Sequence, residues 1–278
     1  MKRALSFILL LAMQLSLCAC GAASTVGTDS YKTASERKGQ EYMVGDYKIR
    51  VFDDTRDAAI IYYFGSDVEL TIPSELDGYP VTVIASGFCA TTDTLFERVV
   101  LPETLKAIEK YAFSSQKKLK EINIPSGVTV LGEGAFMNCK SLTALDIPDE
   151  VAVIPDSLCL DCTKLENVKL PSALQIIEES AFSGCPLKNT VFPDGLIKIS
   201  FAAFFGNAMT DVTLPSSLTE LGDLAFDSRK DCEMKIYIPE SVKKIGDGVV
   251  PQNAEIGCAE GSAAHKYACE TGKKYRLI

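Results

Sequence analysis

The sequence predicts a mainly β protein built as a solenoid, in which about eight short coils stack on one another. A proline that follows Ile, Leu or Phe recurs through most of the chain, first after 29 residues and then every 22 to 24 residues. A second apolar landmark recurs in phase with the first. The residues before each proline alternate between apolar and polar, as in a short strand. Repetition with a fixed period of this size is the sequence signature of stacked repeats.

The two landmarks keep their phase in all eight copies of the repeat. The prolines are Pro73, Pro102, Pro125, Pro148, Pro171, Pro193, Pro215 and Pro239. The apolar residues of the second landmark are Ile84, Ile108, Leu131, Ile154, Ile177, Ile199, Leu221 and Ile245, each five places before a residue of the type that is usually buried. No single unit could bury its apolar face alone, so each coil must cover the next.

The clearest copy of the repeat indicates its own local structure. Residues 119–124 alternate and predict a strand, which Pro125 ends because proline cannot donate a hydrogen bond to a ladder. Residues 128–131 predict a second short extended segment. The glycines in residues 132–134 permit a tight bend, after which Phe136 is expected to point into the interior.

Some copies depart from this pattern. Cys89, Cys159 and Val250 stand where other copies have Phe, Pro155 replaces a glycine, and Thr190 occupies an apolar strand position. We interpret these differences as local adjustments of packing within the same fold.

The repeat resembles the BspA-like class of bacterial leucine-rich repeats. The pattern L-x-x-I-x-I-P-x-x-V-x-x-I-G-x-x-A-F-x-x-C covers about residues 68–256. Residues 46–80 resemble the strand-rich entry of such domains. Residues 261–268, with Gly272 and Tyr275, resemble their closing segment. The resemblance implies a solenoid with short irregular or helical turns, capped at both ends, and a function in adhesion to host proteins or in contacts between cells.

The N-terminus predicts export. Lys2 and Arg3 precede an apolar run over residues 5–17, which is too short for a membrane span and typical of a signal peptide.

The end of this run resembles a bacterial lipobox. The match falls on Leu17, Ala19 and Cys20, whereas Cys18 stands where Ala or Ser is more usual. The resemblance implies that Cys20 is lipid-modified after removal of residues 1–19. Ordinary secretion without a lipid is the alternative.

The predicted organisation has five segments. They are a signal peptide at residues 1–19, a flexible tether at 20–40, an N-terminal strand-rich cap at 41–67, the solenoid at 68–256 and a C-terminal cap at 257–278.

Half of the ten cysteines follow the repeat. Cys139, Cys162 and Cys185 lie one repeat apart and are expected to be small core residues. Cys159 and Cys162 form a C-x-x-C pair, but the further ligands of a zinc site and the βαβ setting of a redox motif are both missing.

Two further cysteines leave an alternative open. Cys258 and Cys269 share the predicted C-terminal cap and could form a disulfide, which the sequence does not decide.

The composition disfavours several functions. A net charge of −9 argues against nucleic-acid binding, which depends on basic residues that neutralise phosphates. His265 is the only histidine, and the chain has neither a phosphate-binding loop nor a nucleophile elbow. We expect no catalytic residue, no cofactor and no metal site.

The outward strand positions are candidates for binding because packing leaves them free to vary. They lie two and four places before each proline, on the expected concave face. The candidates are Arg98, Glu121, Asn123, Asp146, Asn167, Lys169, Asp211, Thr213 and Tyr237. A sheet face that is merely solvated would carry similar residues.

These observations favour a non-catalytic, lipid-anchored protein on the outer side of a bacterial membrane. It would bind a host or bacterial macromolecule, either protein or glycan. A lipoprotein that captures peptide or glycan fragments and a structural spacer of the envelope are the alternatives.

Overall fold

A computed structural model describes residues 31–90, 95–228 and 233–278. The predicted signal peptide, Cys20 and the first part of the predicted tether lie outside the described residues. Thr33–Ile278 form one compact unit. No helix in the described part of the chain has the length and apolar character needed to cross a membrane.

The described residues form 21 strands and one helix. In chain order they are β1 (Gly39–Val44), β2 (Tyr47–Phe52), β3 (Ala58–Tyr63), β4 (Glu69–Thr71), β5 (Glu75–Leu76), β6 (Tyr79–Ile84), β7 (Arg98–Val100), β8 (Ala107–Ile108), β9 (Glu121–Ile122), β10 (Val130–Leu131), β11 (Ala144–Asp146), β12 (Val153–Ile154), β13 (Asn167–Lys169), β14 (Ile176–Ile177), β15 (Lys198–Ile199), β16 (Asp211–Thr213), β17 (Glu220–Leu221), β18 (Lys235–Tyr237), β19 (Lys244–Ile245), β20 (Glu255–Cys258), α1 (Ala263–Thr271) and β21 (Lys274–Leu277).

Most strands belong to two parallel ladders, and most coils contribute one strand to each. The first ladder consists of β4-β7-β9, β11-β13 and β16-β18-β20-β21. The second consists of β6-β8-β10 and β12-β14-β15-β17-β19, and its first part continues the antiparallel strands β1-β2-β3. The predicted mainly β leucine-rich-repeat solenoid is confirmed. It has about nine turns, because β20 extends the first ladder beyond the eight predicted coils.

A column of phenylalanines fills the interior between the ladders. The rings of Phe113 and Phe136 stack with their centroids 5.9 Å apart. Phe204 stacks on Phe182 and Phe226 at 5.5 and 5.2 Å. Burial of these large apolar side chains from one coil to the next supplies the main driving force for stacking.

A second interior column is polar. Gln116 and Asn207 occupy the same repeat position as three of the cysteines, and all five side chains are buried. Each of these three thiols donates a hydrogen bond to a main-chain carbonyl: Cys139 Sγ to Phe113 O at 3.3 Å, Cys162 Sγ to Phe136 O at 3.1 Å and Cys185 Sγ to Cys159 O at 3.0 Å. The described cysteines carry free thiols, including Cys258 and Cys269.

The two glycines of the predicted bend have different roles. Gly134 has a φ of +59°, in the left-handed region. The same turn position is left-handed in other coils, even where the residue is Tyr111 or Ala202. Gly132 instead permits close packing, since a Cβ there would lie 2.3 Å from the main-chain nitrogen of Lys110.

The expectation of a flexible tether up to residue 40 is wrong for its last part. β1 begins at Gly39, and Ala34 is fully buried, with its N–H donating to Glu109 Oε1 at 2.5 Å. The guanidinium of Arg37 lies 3.5 Å from the centroid of the Phe52 ring. These contacts fix a segment whose small polar residues carry no periodicity that would have indicated order.

The C-terminal segment adds strands as well as a cap. Helix α1 begins at the N-cap Ser262, whose hydroxyl accepts from the N–H of His265 at 3.1 Å, and it ends at Gly272. The ring of His265 contacts Tyr275 with centroids 4.8 Å apart. The predicted boundary at residue 257 falls inside β20, so the first ladder continues into the segment that was expected to be only a cap.

Candidate functional site

The predicted binding residues lie together on the outward side of the first ladder. We define the strand face as the side chains of this ladder that point away from the interior. All nine candidates are exposed there, on the strands β7, β9, β11, β13, β16 and β18 or, for Asn123, directly after β9. The alternation within the strands produces this result, because in β11, β13 and β16 the middle residue is buried and the two outer residues are exposed.

The parallel register places candidates from successive coils side by side. Asp146 lies opposite Lys169, and Arg98 lies opposite Glu121. The distance from Arg98 Nε to Glu121 Oε2 is 3.6 Å, so these two side chains form an ion pair with each other. Both side chains are exposed, and an exposed ion pair of this kind contributes at most about 1 kcal/mol.

Asn123 has a structural role that the sequence did not indicate. Its Oδ1 accepts from the N–H of Leu101 at 2.8 Å, and its Nδ2 donates to the carbonyl of Leu101 at 3.3 Å. The side chain therefore replaces the main-chain partner that a longer β9 would have supplied. We treat Asn123 as a residue that positions the preceding coil.

The strand face is interrupted between β13 and β16. Asn189, Thr190 and Val191 form no strand, although they occupy the expected positions. The Thr190 hydroxyl is buried and has no hydrogen-bond partner in the described part of the chain. Val191 points outward and is 85% exposed. This segment therefore has a polar residue at the inward position and an apolar residue at an outward position.

The first cavity on the strand face, which we call the N-terminal cavity, has a volume of about 630 Å³. It is lined by β7, β9 and β11, including Arg98, Glu121 and Asp146. At its rim, Lys120 Nζ lies 2.7 Å from Glu97 Oε2, and this hydrogen bond lowers the pKa of Glu97. Several charged side chains of this cavity therefore already form ion pairs with other side chains of the protein.

The second cavity, which we call the C-terminal cavity, has a volume of about 230 Å³. It is lined by the outward residues of β16, β18, β20 and β21. Two predicted candidates from β16, Asp211 and Thr213, and Tyr237 of β18 contribute to it. The other outward residues that line it are Lys235, Glu255, Gly257, Arg276 and Ile278.

Sequence reasoning did not select those other five residues as site residues. Gly257, Arg276 and Ile278 lie in the segment that was predicted to be a cap. Lys235 and Glu255 lie in the predicted solenoid, and Lys235 stands at an outward position four places before Pro239. The available signal was the alternation Glu255-Ile256-Gly257-Cys258, in which the second and fourth residues are buried. This strand lacks the proline that marks the other coils, so the repeat pattern does not indicate it.

The strongest electrostatic perturbation of a carboxyl group lies away from the strand face. Burial raises the pKa of Asp156 to about 6, and the nearby carboxylates of Glu178, Glu179 and Glu133 act in the same direction. The N–H of Glu179 donates to Asp156 Oδ1 at 2.9 Å and opposes this shift. Asp156 is thus poised to gain a proton in mildly acidic solution.

The interior thiols are not arranged as a metal centre. Across residues 31–90, 95–228 and 233–278, no group of three or more His, Cys, Asp or Glu side chains is placed to hold a metal ion. Burial raises the pKa of Cys159 and Cys185, which keeps them protonated. His265 belongs to the helical cap.

The comparison with protein families decides the identity of the repeat. The family described as "BspA type Leucine rich repeat region (6 copies)" matches residues 83–207 and 153–257. The chain belongs to this family. The BspA-type assignment thus agrees with the two ladders and with the phase of the proline landmark.

Solved bacterial leucine-rich-repeat proteins share the fold of this BspA-type chain. A leucine-rich cell surface protein from Faecalibacterium prausnitzii A2-165 is 22% identical, with a TM-score of 0.54, and the match covers 79% of this chain and 76% of that one. A protein from Bacteroides ovatus is 20% identical, with a TM-score of 0.50 and coverage of 85% and 76%. A protein from Eubacterium ventriosum is 24% identical, with a TM-score of 0.53 and coverage of 63% and 49%. No curated protein matches the chain.

Proposed function

We propose that this BspA-type protein is a non-catalytic recognition protein of the bacterial cell surface that binds a macromolecule through the strand face. The observation that carries the proposal is the position of the exposed, non-repeating side chains. They lie on the first ladder, in the three paired groups β4-β7-β9, β11-β13 and β16-β18-β20-β21, and both cavities open among them. A rigid surface with variable side chains is how solenoid proteins present a binding site.

The chemistry of the strand face supports recognition of a large partner. Its exposed side chains include both charges, amides, hydroxyls and the ring of Tyr237. Because the ladder is many strands long, these groups are spread over successive coils. A partner that spans several coils can therefore engage many weak contacts at once.

We further propose that Cys20 carries a lipid and holds the protein on the outer side of the cell membrane. The supporting observations are the lipobox-like residues Leu17, Ala19 and Cys20. The similar Faecalibacterium protein is described as a cell surface protein. Two acyl chains would give stable anchoring, whereas one chain gives only reversible attachment.

Metabolic labelling tests the anchor. A bacterial host that expresses the full chain is grown with an alkyne-tagged fatty acid, and the chain is compared with the Cys20→Ser variant. We expect label and membrane association for the natural chain, and loss of both for the variant. Equal labelling of the two chains would contradict the assignment of Cys20.

Array binding tests the strand face. The labelled full-length chain is applied to host matrix proteins, mucins and cell-wall glycans, beside a variant with Asp146→Lys, Asn167→Lys and Thr213→Lys. A control carries Glu150→Lys, Thr129→Lys and Ser172→Lys, which make the same change in net charge at exposed positions off the strand face. Asn123 is left unchanged because it bonds the backbone of Leu101.

The proposal predicts selective binding that the strand-face variant loses and the control retains. Equal loss in both variants would point to net charge instead of the strand face. Absence of binding to every partner by a folded chain would contradict recognition and favour a structural spacer.

A further inference from the structure

The two cavities on the strand face differ in whether their charged side chains already form ion pairs within the protein. In the N-terminal cavity, Arg98 and Glu121 pair with each other, and Lys120 pairs with Glu97. In the C-terminal cavity, Lys235 and Arg276 take part in no ion pair within the described residues. These two basic groups are therefore available to a ligand.

The apolar side of the C-terminal cavity is formed around a glycine. Gly257 occupies an outward position of β20, between Tyr237 of β18 and Arg276 of β21 in the register. A Cβ at residue 257 would lie 2.7 Å from Ile278 Cδ1 and 3.6 Å from Tyr237 Cδ2. The Ile278 side chain therefore packs over the glycine, beside the Tyr237 ring, and both side chains line the C-terminal cavity.

Acidic and basic groups alternate along one side of the C-terminal cavity. Asp211, Lys235 and Glu255 lie opposite one another in successive strands, whereas Arg276 belongs to the neighbouring row with Tyr237 and Gly257. Two carboxylates and two cations make the lining formally neutral. A phosphate, a sulfate or an acidic peptide would meet the carboxylates of Asp211 and Glu255, and such like-charge contacts are unfavourable.

We propose that the C-terminal cavity binds a neutral hexose unit of an oligosaccharide. Hexose hydroxyls both donate and accept hydrogen bonds, so they match alternating carboxylates and cations. The C–H face of a hexose packs against an apolar or aromatic surface, which Tyr237 and Ile278 provide. This inference rests on the proposed function and assigns one class of ligand to one part of the strand face.

The size of the cavity limits how much of the ligand it holds. Its volume of about 230 Å³ is below the range of roughly 300–1,000 Å³ that is typical of sites for whole small molecules. One sugar unit would therefore lie in the cavity against Tyr237 and Ile278, and the following units would lie along the strand face toward Thr213. Because the site is shallow, a longer oligosaccharide is expected to bind better than a monosaccharide.

The test uses defined neutral hexamers of glucose, mannose and N-acetylglucosamine, with heparin and hyaluronan fragments and a library of acidic peptides as competing classes. The full-length chain is compared with the Tyr237→Ala and Gly257→Val variants. Tyr111→Ala is the matched control, since Tyr111 is 41% exposed against 37% for Tyr237 and lies outside the cavity.

We expect at least one neutral hexamer to bind, with an affinity that falls about tenfold or more in Tyr237→Ala and in Gly257→Val and is unchanged in Tyr111→Ala. Thermal unfolding checks that each variant is folded. If Gly257→Val does not fold, Tyr237→Ala alone still tests the proposal.

Binding of only the acidic fragments or the peptides would overturn the hexose assignment, as would binding by Tyr237→Ala equal to that of the natural chain. Absence of binding to any of the neutral hexamers would also overturn the hexose assignment. The proposed function would still stand if a protein partner were lost in the three-lysine strand-face variant.

Discussion

The interior of the solenoid and the strand face obey different constraints, although both repeat with every coil. In the interior, Phe204 contacts three other rings, and Cys162 donates to a carbonyl of the preceding coil, so both side chains are fixed by their neighbours. On the strand face, Asn167 and Thr213 are exposed and differ from coil to coil. The fold therefore depends on the interior, which leaves the strand face free to specify a partner.

The largest expected effect is at the interior ring of Phe204. Phe204→Ala removes a fully buried ring and its contacts with Phe182, Phe192 and Phe226, so we expect the free energy of unfolding to fall by about 3–5 kcal/mol. Urea unfolding measures the change. Phe201→Ala is the control, because this ring three residues earlier is 37% exposed and should change stability by less than about 0.5 kcal/mol. Similar losses in the two variants would contradict the distinction between interior and surface.

The polar interior column should come next. Cys162→Ala deletes the thiol that donates to Phe136 O, but the N–H of Cys139 still donates to that carbonyl at 3.2 Å. We therefore expect a moderate loss of about 1–2 kcal/mol in unfolding free energy. In Cys269→Ala, which changes an exposed thiol, stability should be nearly unchanged. A thiol reagent should modify Cys269 quickly in the folded chain and Cys162 only after unfolding. Rapid labelling of Cys162 in the folded chain would contradict the burial of this thiol in the interior column.

A smaller effect of opposite sign is expected where the strand face is interrupted. Thr190→Val replaces a buried hydroxyl that lacks a partner among the described residues with a methyl group of similar size. The free energy of unfolding should rise by about 1 kcal/mol, because the cost of the unpaired hydroxyl is removed. Thr213→Val, at an exposed position of the strand face, should leave stability nearly unchanged. A destabilised Thr190→Val variant would mean that the hydroxyl has a partner after all.

The smallest effect depends on pH. The pKa of Asp156 is raised from 3.8 in the unfolded chain to about 6 in the folded one, so the folded state binds this proton more tightly. The resulting stability is present below pH 3.8 and is lost as the pH rises through about 6. Asp156→Asn keeps the Oδ1 acceptor for Glu179 and should raise the melting temperature at pH 7.5 but not at pH 4. The gain should stay below about 1 kcal/mol because the carboxyl is only partly buried and solvent screens its charge. An equal gain at both pH values would exclude ionisation as the cause.

The repeat made the fold predictable from the sequence. The proline landmark, the alternation before it and the buried aromatic after it correspond to the end of a first-ladder strand, its pleat and the interior column. The nine candidates of the strand face follow from the same alternation, and all nine are exposed. That Cys139, Cys162 and Cys185 are buried also follows from their repeat position.

Features that depend on contacts between distant residues were not predictable in this way. The segment around Ala34 is ordered by Glu109, which lies 75 residues later, and no local pattern indicates that pairing. The bond from Asn123 to the backbone of Leu101 likewise depends on where β9 ends. Strands β20 and β21 lack the proline landmark, which is why the C-terminal cavity emerged only from the fold.

The most direct test of the central claim is to measure affinity and melting temperature together for alanine variants of Asp146, Asn167, Asp211 and Tyr237, against an array partner of the natural chain. The account predicts that affinity falls about tenfold or more in several of these variants while the melting temperature stays nearly constant. Phe201→Ala, off the strand face, should change neither quantity. Affinity that falls only in step with the melting temperature, or that is unchanged in all four variants, would contradict the claim that the strand face is the recognition surface.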